Sequence, residues 1–307
     1  MRILVTGASG FIGGNIVESL SQERGYEIIA TGRSPMDKFK PYNNVTYFMQ
    51  DLSEKINRLS CDVCIHCAGL ADDRSTIEEL EKSNIRATEN LLLAIKNCSL
   101  LIYISSASVY DFSDGKPKKE EDVVPNKNLS SYGKSKLDAE IVVMNSGIRS
   151  IYILRPRAVY GPGDRVLLPR ILKLIKGNRM IIPINLSKKS SLTHIENLCE
   201  AVELSLFQGK YGTHIFNVAD NQSYDLNAVF SEILVKKVSR QSFIRIPASI
   251  LNLIVFLNRI PGIKGQFSKQ SYKYIVDHSI LSIDKAKEQL NYIGKREFFK
   301  SINQLDI

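Results

Sequence analysis

The apolar residues of this chain fall into short clusters that alternate with longer stretches of helical spacing. Clusters near 2–6, 27–31, 45–48, 62–66, 100–105 and 150–154 predict buried strands. Helical patterns lie between most of them, and the strongest, at 78–96 and 130–144, are long enough to flank a sheet. Such alternation predicts an α/β fold, a doubly wound parallel sheet covered on both faces. Beyond residue 156 the rhythm breaks. A turn at Gly161-Pro162-Gly163, a helix over 167–175 and a strand over 215–218 are followed by helices and loops without a regular strand repeat. We therefore expect a first domain over 1–156, joined by a strand near 214–218, and a smaller, partly interleaved carboxy-terminal lobe over 157–307.

The junction of the first strand and first helix carries glycines at 7, 10 and 13. Gly7 suits a tight turn, Gly10 lets backbone approach an anion, and Gly13 lets helix and strand pack closely. Placed after an amino-terminal strand, this is the seat of a dinucleotide pyrophosphate in a Rossmann-type sheet, with helix-end N–H groups facing the phosphates.

At 307 residues and 44% hydrophobic content the chain can bury a large core. The amino terminus opens on strand and turn rather than a basic-then-apolar leader, so a cytoplasmic protein is expected. No apolar stretch approaches the ~18 residues of a spanning helix. The longest apolar run, 248–257, has three readings: a core helix, a hydrophobic lip over a substrate, or a membrane-surface contact. A net charge of +9 comes from scattered basic residues without a nucleic-acid-reading motif, so we expect attraction of anionic small molecules and no nucleic-acid partner. Five cysteines, an odd number, argue against a disulfide framework. Cys61, Cys64 and Cys67 cluster beside His66, but a strand there would turn Cys64 away from the other two, so no metal site is expected.

Tyr132 and Lys136 stand four apart, on one face of the helix expected at 130–144. An ammonium beside a phenol favours the phenolate and brings a group of pKa about 10 toward the working range of an acid or base. Upstream, the hydroxyls of Ser105, Ser106 and Ser108 end the strand near 100–105, at the sheet edge where open parallel sheets place their ligands.

These residues, taken in order, resemble the extended short-chain dehydrogenase/reductase family, of the NAD(P)-dependent epimerase/dehydratase type. The likeness spans Thr6-Gly7-Ala8-Ser9-Gly10-Phe11-Ile12-Gly13, Asp51-Leu52, His66-Cys67-Ala68-Gly69, the stretch 84–90, Ser105-Ser106-Ala107-Ser108-Val109-Tyr110, Tyr132-Gly133-Lys134-Ser135-Lys136, Leu154-Arg155-Pro156, Tyr160-Gly161-Pro162-Gly163 and Thr193-His194-Ile195-Glu196-Asn197. It implies that Ser106 hydrogen-bonds a substrate oxygen, that Tyr132 exchanges its proton, and that Lys136 binds the nicotinamide ribose. Gly7, Ser9, Gly10, Phe11, Ile12, Gly13, Arg33, Ser34, Asp51, Leu52, Cys67, Ala68, Gly69, Tyr132, Lys136 and Pro156 would line the cofactor. His66 and His194 occupy positions that look structural. The family's dimers pair two helices per subunit; here Leu91, Leu92, Ile95 and Ile141 would serve either that contact or the sheet face.

An NAD-specific sheet ends its second strand on an acid. This chain has Gly32 there with Arg33 beside it, so NADP(H) is the expected preference and NAD(H) the alternative. The Asp-Glu pair of the family's dehydratases is replaced by Ala107 and Ser108, which disfavours dehydration. Reduction is expected over epimerisation. The expected substrate is a 4-keto nucleotide sugar, contacted by Ser108, Arg157, Arg165 and Arg170. The alternatives are a nucleotide-sugar 4-epimerase, a dehydrogenase of the 3β-hydroxysteroid or β-keto-lipid type, and a non-catalytic dinucleotide sensor.

Overall fold

A computed structural model describes residues 1–72, 75–95, 97–124, 128–184, 188–239, 242–247 and 278–307. The apolar run at 248–257 lies outside the described residues. Seven strands form the central sheet: β1 (Arg2–Thr6), β2 (Glu27–Gly32), β3 (Val45–Met49), β4 (Val63–His66), β5 (Leu100–Ile104), β6 (Ser150–Pro156) and β7 (Gly212–Val218). Their spatial order is β7-β6-β5-β4-β1-β2-β3, and every neighbouring pair is parallel. The order reverses between β1 and β4, and such a reversal opens a crevice at the carboxyl ends of the strands. β7 extends the sheet in register from Gly212 beside Ser150 to Val218 beside Pro156.

Side chains along each strand alternate between two apolar layers. Ile3, Val5, Ile102, Ile104, Tyr152 and Leu154 pack with Ile16, Val17 and Leu20 of helix α1 (Phe11–Ser21) and with Leu198 and Val202. Leu4, Leu101, Tyr103, Ile151 and Ile153 face the other way, onto Leu91, Ile95, Ala139 and Val143. The inner strands are thus covered on both faces, which is why their sequences are apolar without alternation, whereas the edge strand β3 is partly exposed.

Three expectations need correction. The helix expected over 78–96 is interrupted: helical at Ile77–Leu80 (α2), one wider π turn at Glu81–Arg86, then helical again at Ala87–Ala94 (α3). The helix expected over 167–175 stops at Leu172, and Ile175–Lys176 begins a small sheet with Arg179–Pro183 and Phe243–Ile246. The later part of the chain therefore has strand structure of its own, around an apolar cluster of Tyr160, Leu168, Met180, Ile182, Phe230, Ile233 and Phe298. Finally, the strand starts at Val63, so Cys61 precedes it and packs in the same layer as Cys64 and Cys98 rather than opposite Cys64.

Leu91 and Ile95 are fully buried against the sheet, and Leu92 packs partly against the same layer. Ile141 faces outward. Among the described residues no helix is long and apolar enough to cross a membrane.

The turn from β1 into α1 depends on absent side chains. Gly7 has φ +68°, and a Cβ on it would lie 2.7 Å from the Ala68 amide nitrogen. A Cβ on Gly13 would collide with the Gly7 carbonyl, and one on Gly32 with the Ser9 side chain. Gly7→Ala is therefore expected to cost roughly 1–3 kcal/mol in strain. Thermal unfolding should show a clear drop in Tm, and an unchanged Tm would mean the turn relaxes freely.

Candidate active site

The carboxyl ends of β1, β4, β5 and β6 gather most of the residues singled out above. Gly10 caps α1 without any side-chain hydrogen bond, and its own N–H donates to Gly7 O at 2.9 Å. The first turn of α1 holds no acid. It presents its free N–H groups beside the glycine turn, which is what a pyrophosphate requires. The cradle that side chains would fill is kept clear by Gly7, Gly13 and Gly32, so the residues present fit a dinucleotide. Ser9 touches Gly32. Phe11 and Ile12 are half-buried at the start of α1, with Ile12 packed toward the core.

Arg33 and Ser34 follow Gly32 in exposed positions, and the Tyr47 hydroxyl donates to Ser34 O at 2.5 Å. Asp51 accepts from Ser53 N at 2.9 Å and Ser53 Oγ at 2.8 Å. Burial works to raise its pKa, yet the two Ser53 hydrogen bonds with the charges of Arg33 and Lys82 outweigh it and hold the carboxyl below its usual range. Leu52 turns its side chain into the core, leaving backbone to the groove.

Helix α4 (Ser131–Met144) carries Tyr132 and Lys136. Ser130 caps it, accepting from Gly133 N at 2.9 Å. A Cβ on Gly133 would collide with Ser108 O, so the first turn of α4 lies directly against the turn after β5. That turn is held by Ser106, whose hydroxyl accepts from Ser108 N and donates to Ser108 Oγ, both at 3.1 Å. Tyr132, half-buried, sits one residue before this contact. Lys136 lies one helical turn further, buried, its ammonium donating to Ile104 O at 2.8 Å and standing 4.1 Å above the Tyr103 ring. Burial brings its pKa down to about 7, opposed by Glu140 and Cys67. Ser106, Tyr132 and Lys136 thus come from two elements that touch.

The loop after β4 borders the same place. A Cβ on Gly69 would lie 3.9 Å from Lys136 Nζ. Ala68 N donates to Thr6 Oγ1 at 3.2 Å, tying this loop to β1, and Cys67 is pushed up to about 12 by burial, partly opposed by Lys136. Pro156 ends β6 beside Val218. Arg157 follows it, buried, with its guanidinium 5.8 Å from the Phe112 ring. Arg170 instead reaches Ala71 O at 3.0 Å and lies near Asp72, and Arg165 is exposed.

Sequence reasoning gave Asn84 no role, yet it is a central clamp. From within the π turn its side chain accepts from Leu70 N at 2.7 Å, and donates to Leu70 O at 3.2 Å and Ser135 Oγ at 2.9 Å. The available signal was an asparagine on the buried stripe 84, 87, 88, 91 of a helix.

His66 is structural. Thr88 donates its hydroxyl to Asn84 O at 2.6 Å, so at 3.0 Å it accepts from His66 Nε2; Nδ1 then accepts from Thr6 Oγ1 at 2.7 Å. His194 caps the helix Ile195–Leu206, its Nδ1 accepting from Glu196 N at 3.2 Å.

A glycine turn clear of side chains at a helix N-terminus, a switch-point crevice and a buried lysine one turn from a tyrosine fit a dinucleotide-dependent enzyme. Residues 3–219 match the model of the NAD dependent epimerase/dehydratase family, and the chain belongs to that family. It is an NAD(P)-dependent enzyme of the extended short-chain dehydrogenase/reductase type. It is similar to 4-hydroxy-2-methyl-3-oxo-4-farnesyl-3,4-dihydroquinoline-1-oxide ketoreductase of Stigmatella aurantiaca, at 24% identity over 96% of this chain and 92% of that one. The decarboxylating sterol-4-alpha-carboxylate 3-dehydrogenase of Dictyostelium discoideum is 26% identical over 99% of both chains. The solved structure of MoeE5 with UDP-glucuronic acid and NAD shares the fold, with a TM-score of 0.77 at 22% identity, over 99% of this chain and 97% of that one.

Burial, helped by the nearby Lys136 charge, holds His66 neutral down to about pH 3. The unfolded chain takes up that proton near pH 6.5, so His66 makes stability fall as pH drops from about 6.5 to 3. His66→Gln should flatten the fall of Tm across this window. His194, lowered to about 4, and Asp220, raised to about 6, act in parent and variant alike. Superimposable Tm–pH curves would show that His66 titrates normally.

Proposed function

We propose that the protein is an NADP(H)-dependent ketoreductase acting on a 4-keto nucleotide sugar. The observation that carries this reading is the buried Lys136, one turn from Tyr132, on the helix that touches the Ser106 turn. When bound, the nicotinamide supplies or accepts the hydride. Ser106 holds the substrate oxygen, and Tyr132 donates its proton to that oxygen during reduction or takes it back during oxidation. The Lys136 ammonium lowers the cost of the phenolate, and its position at Gly69 and Ile104 suits a ribose hydroxyl as well. Ala107 and Ser108 supply no acid and base pair beside Ser106, which supports reduction over loss of water.

The NADP(H) preference rests on Gly32 and Arg33. β2 ends without an acid to accept from a ribose 2′-hydroxyl, and an exposed guanidinium follows, suited to a 2′-phosphate. Substrate choice rests on Arg157 at the end of β6, and on the UDP-sugar named for a solved structure of the same fold. A second reading, a lipid ketone, is favoured by two near full-length relatives, named for a farnesylated quinoline and a sterol carboxylate.

Oxidation of NADPH, followed by absorbance with a UDP-linked 4-keto sugar and with a 3-keto sterol, separates the two. The nucleotide sugar should turn over faster, and turnover of the sterol alone would move the assignment to lipids. Tyr132→Phe should lower kcat at least ~10²-fold while leaving NADPH affinity intact. Near-normal turnover would remove Tyr132 as the acid. Arg33→Ala should weaken NADP(H) by at least about tenfold and leave NAD(H) unchanged, as expected for a lost charge-assisted contact. An unchanged ratio of the two affinities would overturn the cofactor assignment.

A further inference from the structure

We propose that Glu140 is a positioning residue for the reaction, the carboxylate that fixes the Ser106 turn, the Tyr132–Lys136 helix and the end of β6 in one mutual geometry. This rests on the roles given above to Ser106, Tyr132 and Lys136.

Glu140 lies on α4 one turn after Lys136 and two after Tyr132, with no solvent exposure. Both its oxygens are engaged by other elements. Arg155 of β6 grips it in a forked pair, Nε to Oε1 at 2.9 Å and Nη2 to Oε2 at 2.6 Å. Ser105 donates its hydroxyl to Oε1. Ser105 immediately precedes Ser106, and Arg155 immediately precedes Pro156 and Arg157. A single side chain therefore ties down the residues next to the three places where substrate and nicotinamide are expected.

The same carboxylate acts on Lys136 through space. Facing Lys136 are Glu140 from its own helix, His66 of β4 and Cys67 of the following loop, and Tyr103 with the Ile104 carbonyl of β5, while Tyr132 lies one helical turn before it. Glu140 is the one carboxylate among them. Facing Glu140 in turn are Arg155 of β6, Ser105 and Tyr103 of the β5 end, and Tyr110 of the loop beyond. Removing its charge while keeping its shape makes Lys136 easier to deprotonate, and the Tyr132 phenolate then forms at higher pH. A purely structural side chain would not move that titration.

The readout is the ultraviolet titration of the Tyr132 phenolate, taken as the difference between each protein and the same protein carrying Tyr132→Phe. It needs no substrate. Glu140→Gln should raise the midpoint by roughly one unit. Glu140→Asp, which keeps the charge but shortens the reach to Ser105, should return the midpoint toward the parent value while kcat for NADPH oxidation by the UDP-linked 4-keto sugar stays at least about tenfold low. Ser105→Ala leaves the ion pair whole, so it should lower kcat without moving the midpoint or the KM for NADPH.

A Glu140→Gln midpoint that coincides with the parent's overturns the proposal. Full kcat in Ser105→Ala does so too, and that variant decides the matter should Glu140→Gln fail to fold. Full turnover in Tyr132→Phe would instead sink the catalytic reading itself, which these outcomes keep separate.

Discussion

A buried carboxylate on the helix that carries Tyr132 and Lys136 imposes the geometry of this protein. Glu140 has lost all contact with water, and a charge in that position survives only if a partner meets it with nearly ideal hydrogen bonds. Arg155 does so from β6, itself nearly buried, and its Nη1 donates to Tyr110 OH at 2.8 Å and Glu120 O at 2.9 Å. The chain of contacts continues from Tyr110 to Asn217 of β7 at 2.7 Å, and from Asn217 to Lys118 O and Ser282 O. Net stabilisation by such a pair is small, because desolvation offsets most of the attraction. Loss of either partner alone costs about 3–5 kcal/mol. Its value lies in uniqueness: helix, strands and a distant carboxy-terminal segment have one arrangement in which the Glu140 carboxylate, the Arg155 guanidinium, the Tyr110 hydroxyl and the Asn217 amide all find partners.

A second polar line runs on the other side of Lys136. Thr6, His66, Thr88 and Asn84 form an ordered series of donors and acceptors from the glycine turn to the π turn, and Asn84 passes it to Ser135 on α4. The π turn makes this possible. Widening the helix at Glu81–Arg86 brings Asn84 to both backbone groups of Leu70, so the loop after β4 is held by the same residue that touches the Tyr132–Lys136 helix. Lys136 sits between the two polar lines, its pKa brought down to about 7 by burial while the Glu140 charge acts to raise it.

Much of this was legible in the sequence. Strands buried on both faces read as unbroken apolar runs, so six of the seven sheet strands and the isolated Ile215 strand stood out, and the glycine spacing announced the turn whose φ values and close contacts require it. Tyr132 and Lys136 were visible because a helix repeats every 3.6 residues. The π turn was not, since widening a helix by one residue leaves its apolar stripe almost intact. Ends of elements were also obscured: Leu172 stops a helix because the chain turns into a small sheet whose pairing partners lie far along the sequence. Asn84 and Glu140 were hidden for the same reason. A lone polar residue on a helix gains its meaning from partners such as Leu70 and Arg155, which only the folded chain brings to it.

The most direct measurement of the central claim is a crystal structure of the protein with NADP⁺ bound. The account predicts the pyrophosphate on the first turn of α1, the nicotinamide beside Gly69 and Pro156, and Lys136 on its ribose. Tyr132 OH and Ser106 Oγ should stand within about 2.6–3.2 Å of one shared water or substrate oxygen over the nicotinamide face. A nicotinamide directed away from α4, or Tyr132 and Ser106 facing different cavities, would contradict it.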